Sequence, residues 1–354
     1  MKTFNIAVIA GDGIGKEVVP EGIRVLEAAG KRFGFQWKWQ EFDWSCERYV
    51  QTGKMMPDDG LQQLRPFDAI FLGAVGHPSV PDHVSLWGLL IPIRRTFRQY
   101  VNLRPVRLFE GIDSPLKNWK PGQIDFTIVR ENNEGEYSNI GGRLYEGTED
   151  EMAVQQTVFT RRGVNRVLRF AFELARKHNK HLTSATKSNG IIHTMPFWDD
   201  CFRALAAENP DIRTDQYHID ILTAHFVRHP DWFDVVVGSN LFGDILSDLG
   251  PAVVGSIGIA PSANLNPEGE FPSMFEPVHG SAPDIAGKGI ANPIGQIWSG
   301  AMMLRHLGVE EGADAIEAAI SATLAKSQVR TPDIGGKSST RDLGEAIVRQ
   351  VSGT

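Results

Sequence analysis

Cysteine is nearly absent: two in 354 residues, Cys46 and Cys201, and they stand in no metal-binding or redox spacing. Buried thiols in a reducing compartment are expected. No apolar run approaches the eighteen or so residues of a membrane span, and the short run in "MKTFNIAVIAGDG" reads as a buried strand, not a signal peptide. A cytoplasmic protein is expected. There is no excess of basic charge. The formal net charge of -7 argues against a nucleic-acid binder. Internal repeats and low-complexity linkers are also missing, so any two domains should pack closely.

What is present opens with "AVIAGDGIGKEVVPEGIRVLEAAG", residues 7 to 30. A G-x-G-x-x-G fingerprint would need glycine where Lys16 stands. A P-loop would need glycine in place of Ala10 and a hydroxyl in place of Glu17. Neither template fits, and a tight strand-to-helix turn is expected.

Strand and helix patterns then alternate. "FNIAVIA", "QWKWQEF", "FDAIFLGAV", "IDFTIVRE", "HLTSATK", "YHIDILTAHFV" and "FDVVVGS" read as strands, with helices after the first glycine turn, through "LLIPIRRTFRQYV" and over "RRGVNRVLRFAFELARKH". Apolar runs this continuous predict strands covered by helices on both faces, an α/β layered fold. From Tyr137 to Thr160 the pattern changes to polar and β-forming residues with glycine turns, which predicts an antiparallel arm that could pair with a second subunit.

Three groups of residues carry chemistry. In "GSNLFGDILSDLGPAVV", Asp244 and Asp248 stand four apart at a helix start, so both carboxylates share one face. A hard divalent cation would neutralise them; so would solvent beside a helix dipole, and spacing alone leaves both open. His225 and His229 have zinc-helix spacing, but Phe226 stands where a metalloprotease keeps glutamate, so structural histidines are expected. "LLIPIRRTFRQYVNLRPVR" carries Arg94, Arg95, Arg98, Arg104 and Arg107, and Arg130 ends a strand. The guanidinium fork suits carboxylates. Tyr137 and Lys187 have no distinguishing pattern of their own.

Together, "GDGIGKEV", "NLRP", "GSNLFGDILSDLGPAVVGSIGIAPSANL" and "FEPVHGSAPDIAGKGIANP" resemble the β-decarboxylating dehydrogenases, the family of isocitrate and 3-isopropylmalate dehydrogenases, over essentially the full chain. The resemblance implies a non-Rossmann α/β/α layered fold. Its larger domain joins residues 1 to 100 with 252 to 354, and its smaller one spans 101 to 251. It implies that Asp244 and Asp248 bind Mg²⁺ or Mn²⁺ with Asp220 of the other subunit, hence a homodimer. Arg94, Arg104 and Arg130 would hold the substrate carboxylates, leaving Arg95, Arg98 and Arg107 as surface charges. Lys187, from the partner, would assist removal of the hydroxyl proton, and Tyr137 would return a proton to carbon. The cofactor implied is NAD, set by Ile14, Val75, His279, Gly280, Ser281, Ala282, Asp284 and Asn292, with K⁺ as a further candidate ion. Asp284 suits a ribose 2′-hydroxyl and would repel a 2′-phosphate.

Isopropylmalate enzymes place glutamate seven residues before the first arginine, and isocitrate enzymes a serine six before it; here Trp87 and Gly88 stand there, with Leu90 beyond. A bulky indole and no polar partner point to a small 2-hydroxy diacid such as D-malate or tartrate. 3-Isopropylmalate dehydrogenase and a non-catalytic regulatory subunit are the alternatives.

Overall fold

The computed structural model describes residues 2–353. β1 (Lys2–Gly11) enters the glycine turn, α1 (Gly15–Phe33) follows, and β2 (Phe35–Glu41) returns parallel beside β1. α1 buries Val18, Val19, Val25, Leu26 and Ala29 on one face, and left-handed Gly34 closes its C-terminus. Two short helices, α2 (Cys46–Thr52) and α3 (Gly60–Leu64), lead to the fully buried β3 (Ala69–Ala74). Next, α4 (Asp82–Ser85), a π-helical turn (Leu86–Leu90) and α5 (Ile91–Thr96) run end to end. β4 (Val101–Arg107) and β5 (Asp125–Glu131) pair antiparallel.

β6 (Gly141–Leu144) and β7 (Met152–Gln155) form a separate antiparallel ribbon, exposed throughout. The chain continues through α6 (Arg161–Lys177), β8 (His181–Thr186), α7 (Thr194–Glu208), β9 (Arg213–His218), α8 (Ile219–Arg228), β10 (Val235–Gly238) and α9 (Asn240–Val253). It closes with β11 (Pro261–Leu265), β12 (Ser273–Pro277), α10 (Ile294–His306), α11 (Glu310–Lys326) and α12 (Thr340–Ser352).

Ten strands form one sheet in the order β2-β1-β3-β12-β11-β4-β5-β10-β8-β9. Both wings are parallel, while β12, β11, β4 and β5 pair antiparallel across the middle. This is the layered α/β arrangement expected, and the antiparallel centre distinguishes it from a doubly wound sheet. No helix among the described residues is long and apolar enough to cross a membrane.

One expected strand is wrong. "YHIDILTAHFV" is strand only to His218; from Ile219 it is helix α8. Its β-branched residues mislead, because Leu222 and Phe226, four apart, are the buried pair, while Ile221 and Val227 face out.

Candidate active site

α5, the middle of β4, the end of β5 and the start of α9 meet around a cavity of about 180 Å³, lined by Arg94, Arg104, Arg130, Tyr137 and Asp244 among others. Arg94 is buried and pairs with Glu276 of β12 at 2.7 Å. Behind that pair an amide network crosses the middle of the sheet: Asn264 donates to Glu276 (2.7 Å) and accepts from Asn102 (3.0 Å) and Asn132 (2.9 Å). Each member is tied to another, while Oδ1 of Asn102, Oδ1 of Asn132 and Nε of Arg94 have no partner among the described residues.

Arg130 donates through Nε and Nη2 to Asn240 Oδ1 (3.1 and 2.7 Å) and forms a close ion pair with Asp244. It lies directly against α9 because residue 243 is glycine: a Cβ there would come within 2.6 Å of the Arg130 side chain. Ser239 caps α9, and the Glu136 carboxylate accepts from Leu241 N (3.0 Å) and Ser239 Oγ (2.7 Å), a negative charge on the positive end of the helix. Arg104 hydrogen-bonds Ser247 and stands 3.6 Å from Asp244 and 3.8 Å from Asp248. One guanidinium reaches both carboxylates, so the two aspartates converge on a shared point.

Burial brings the Arg104 guanidinium down to about 10 and lowers Arg130 as well. For Asp244 burial opposes ionisation, but Arg130 and then Arg104 outweigh it and hold the carboxyl below its usual range. Asp248 is raised: burial leads, and Arg104 only partly offsets it against the charge of Asp244. The Tyr137 hydroxyl donates to Asp244 Oδ2 at 2.9 Å. Burial, followed by that carboxylate, raises the phenol and keeps it protonated.

Lys187 and Asp220 do not line this cavity. They pair with each other at 2.7 Å, with the Asp220 side chain 67% exposed, and the lysine lowers the Asp220 carboxyl. Among the described residues, no three acidic, histidine or cysteine side chains of one chain form a metal-sized group. His225 and His229 belong to an aromatic group with Trp232, on which His229 stacks at 4.1 Å.

Sequence reasoning missed Arg95. It is not a surface charge: it lines the cavity, donates through Nη2 to the Tyr137 carbonyl at 2.6 Å and lies 5.0 Å over the Trp87 ring. Residues eight apart on an α-helix diverge by about 80°, but the π turn absorbs one residue and restores them to one face. Nothing in the composition of this segment signals a π turn. Trp87 meets the site through Arg95, and Leu90 packs into the core beside it; Leu86 and Ile91 supply the cavity's apolar wall. Arg98 is exposed and paired with Glu270, and Arg107, half-buried, is paired with Asp125.

The second region surrounds the opening turn. A hollow of about 760 Å³ lies between residues 75–82 and 280–283, so Val75, Gly280, Ser281 and Ala282 all line it. Ile14 N donates to the Ser281 carbonyl (2.9 Å), and Gly13, with φ 51°, leaves no room for a side chain against that same oxygen. Asp12, also unnoticed in the sequence, is fully buried. Its carboxylate accepts from the backbone N–H of Cys46 (2.9 Å), Glu47 (3.2 Å) and Gly76 (3.1 Å). The turn thus binds no anion; it supplies one, to the N-terminus of α2. His279 is buried, its Nε2 has no partner among the described residues, and burial lowers its pKa so the ring is neutral. Asp284 is exposed, and Asn292 is buried, its amide bridging Asp333 (3.0 Å) and Ile294 N (3.0 Å).

Residues 5–347 match the family model described as isocitrate/isopropylmalate dehydrogenase. The chain is 60% identical to the Escherichia coli protein named D-malate dehydrogenase [decarboxylating], covering 99% of each chain. It is 59% identical to tartrate dehydrogenase/decarboxylase of Pseudomonas putida, covering 98% of this chain and 97% of that one. The crystal structure of isocitrate dehydrogenase from Methylococcus capsulatus superimposes with a TM-score of 0.88 at 35% identity, covering 99% of each chain.

Proposed function

The chain belongs to the isocitrate/isopropylmalate dehydrogenase family, an enzyme family, and from that premise we propose that it oxidises a small 2-hydroxy diacid, D-malate or tartrate, using NAD⁺ and a divalent cation. The observation that carries this reading is the convergence of Arg94, Arg104 and Arg130, a protonated tyrosine and Asp244 on one small cavity. About 180 Å³ suits a four-carbon diacid.

The residues fit the implied groups. Asp244 and Asp248 offer oxygen donors around one point already shared by Arg104, as Mg²⁺ or Mn²⁺ prefers. His279 Nε2 and the exposed Asp284 carboxylate are available to an adenosine beside the second hollow. When bound, NAD⁺ would accept the hydride from C2, and the cation would acidify the 2-hydroxyl and stabilise the negative charge left on the remaining fragment as CO₂ departs. Arg94, Arg104 and Arg130 grip the carboxylates and fix the acid's orientation. The partner subunit's Lys187 takes the hydroxyl proton, and the partner subunit's Asp220 completes the cation's ligands. After CO₂ leaves, Tyr137 delivers its proton to carbon. From D-malate the product is pyruvate; tartrate is oxidised, with or without loss of CO₂.

A homodimer follows from that sharing. The apolar residues Ile221 on α8 and Leu241 and Ile245 on α9 are exposed in one chain, as are Leu144, Met152 and Val154 of the ribbon. A second copy would cover them, the ribbon acting as an arm. The cleft lies between a lobe of residues 1–100 and 252–354 and one of 101–251.

NADH formation, measured with Mn²⁺ and K⁺ against D-malate, L-tartrate, meso-tartrate and 3-isopropylmalate, tests the reading. D-malate or a tartrate should be preferred by at least about tenfold in kcat/KM over isopropylmalate. Preference for isopropylmalate would overturn the substrate assignment. Asp284→Lys should lower kcat/KM for NAD⁺ by about 10²-fold and improve NADP⁺ use. An unchanged cofactor preference would remove Asp284 from the reading.

A further inference from the structure

Arg95 has no part in the chemistry above, yet it occupies the cavity wall. Its side chain has one hydrogen-bond partner among the described residues, the main-chain carbonyl of Tyr137. Tyr137 lies between β5 and β6, outside any strand or helix. Up to Glu136 that stretch is tied down from β5, α9 and the segment before α6. Glu131 accepts from the N–H of Asn133 (3.0 Å) and Glu134 (2.8 Å), Gly135 exchanges backbone bonds with Val158 (2.8 and 3.1 Å), and Glu136 sits on the start of α9. Just beyond Tyr137, Ser138 is tied to Gln155 and Gln156, and Ile140 to Gln156. At Tyr137 itself the main-chain anchor comes from the other side. The carbonyl is held from α5, by an Arg95 side chain braced on the Trp87 ring.

We infer that Arg95, braced by Trp87, is a positioning residue that fixes the Tyr137 main chain so that its phenol stays directed at Asp244 in the cavity. Trp87 then affects the reaction through Arg95, not by touching the substrate. Arginine suits the task because its planar group stacks on an indole while an in-plane N–H points at a carbonyl; a lysine ammonium gives up the planar stacking. The catalytic part of the inference rests on Tyr137 being the group that protonates carbon. The positioning part does not.

The test uses the full-length protein, with R95Q, R95K, Y137F and the double variant R95Q/Y137F, on whichever acid the wild type turns over. R95Q should lower kcat by about 30-fold with KM changed less than about threefold, because a tyrosine misplaced by an ångström loses its reach. R95K, which can donate but not stack, should recover part of that loss. In the Y137F background, R95Q should cost less than about threefold more, since the residue it positions is already disabled. Costs that multiply in the double variant, or a KM effect without a kcat effect, would make Arg95 an independent substrate ligand and overturn the inference.

Amide hydrogen exchange gives a readout that needs no activity. The hydrogen-bonded amides flanking Tyr137, those of Gly135, Ile140, Gln156 and Val158, should exchange about tenfold faster or more in R95Q than in wild type, with α9 unchanged. Unchanged exchange there overturns the positioning role even if the enzyme is active. If instead the wild type oxidises none of the acids but exchange responds as expected, the proposed function fails and the positioning stands. R95K carries the same comparison should R95Q not fold, and R98Q, on an exposed arginine, should match wild type throughout.

Discussion

Asp244→Asn will lower kcat/KM by about 10³-fold and will also lower the melting temperature. Asparagine keeps the shape and removes the charge. That charge serves two ends: it is the proposed cation's ligand, and it is the counter-ion of Arg130 and, at 3.6 Å, of Arg104, both buried. Stranding buried guanidinium groups costs on the order of 3 kcal/mol. Asp248→Asn separates the two effects. Its side chain is 64% exposed and stands 3.8 Å from Arg104, so stability should barely move while activity falls to a similar degree. Thermal melting beside steady-state kinetics checks the pair. An Asp248→Asn enzyme of full activity would show that the two aspartates do not act as one cation site.

Mixing two dead enzymes will give a live one. Tyr137→Phe and Lys187→Met should each lose about 10²-fold or more as homodimers, since each lacks one proton-transfer group. Tyr137 lies in the cavity, whereas Lys187 is paired with Asp220 outside it, so the proposed site would draw its lysine from another copy. Co-refolding equal amounts makes half the dimers hybrid. Each hybrid has one site with both residues intact and one with neither, so about a quarter of wild-type activity returns. If Lys187 served the tyrosine of its own chain, every hybrid site would lack one group and nothing would return. The outcome depends on no assumption about which acid is the substrate.

The layered α/β class was legible because covered strands write long apolar runs, as in the six wholly buried residues of β3. The antiparallel centre was not. β4 meets β11 across more than 150 residues of chain, and no local pattern announces that partnership. α8 was misread because its β-branched residues speak for strand, while its helical face shows only two buried positions, Leu222 and Phe226. At the candidate site, the family resemblance marks Arg94, Arg104, Arg130, Tyr137 and Asp244, which share one cavity; Asp248, Lys187 and Asp220, which it marks as well, do not line it. Those that matter through geometry it does not mark. Arg95 reaches the cavity because a π turn resets the helix face, and Asp12 is a clamp only because α2 and residue 76 fold up to it. A charge in a run of charges looks the same whether it faces water or a carbonyl.

The order of the strands also sets a timetable for synthesis. β3 pairs with β1 on one side, but its other edge takes β12, Ser273–Pro277, and α1 packs on α10 and α12 from the last sixty-odd residues. A chain growing from its N-terminus therefore makes the first hundred residues long before the strands and helices that cover them. Residues 101 to 250 can meanwhile bring β4, β5, β8, β9 and β10 together. The nascent protein carries an open strand edge and an uncovered apolar helix face through most of its translation. That is when association with other chains, or with a chaperone, competes most strongly with folding.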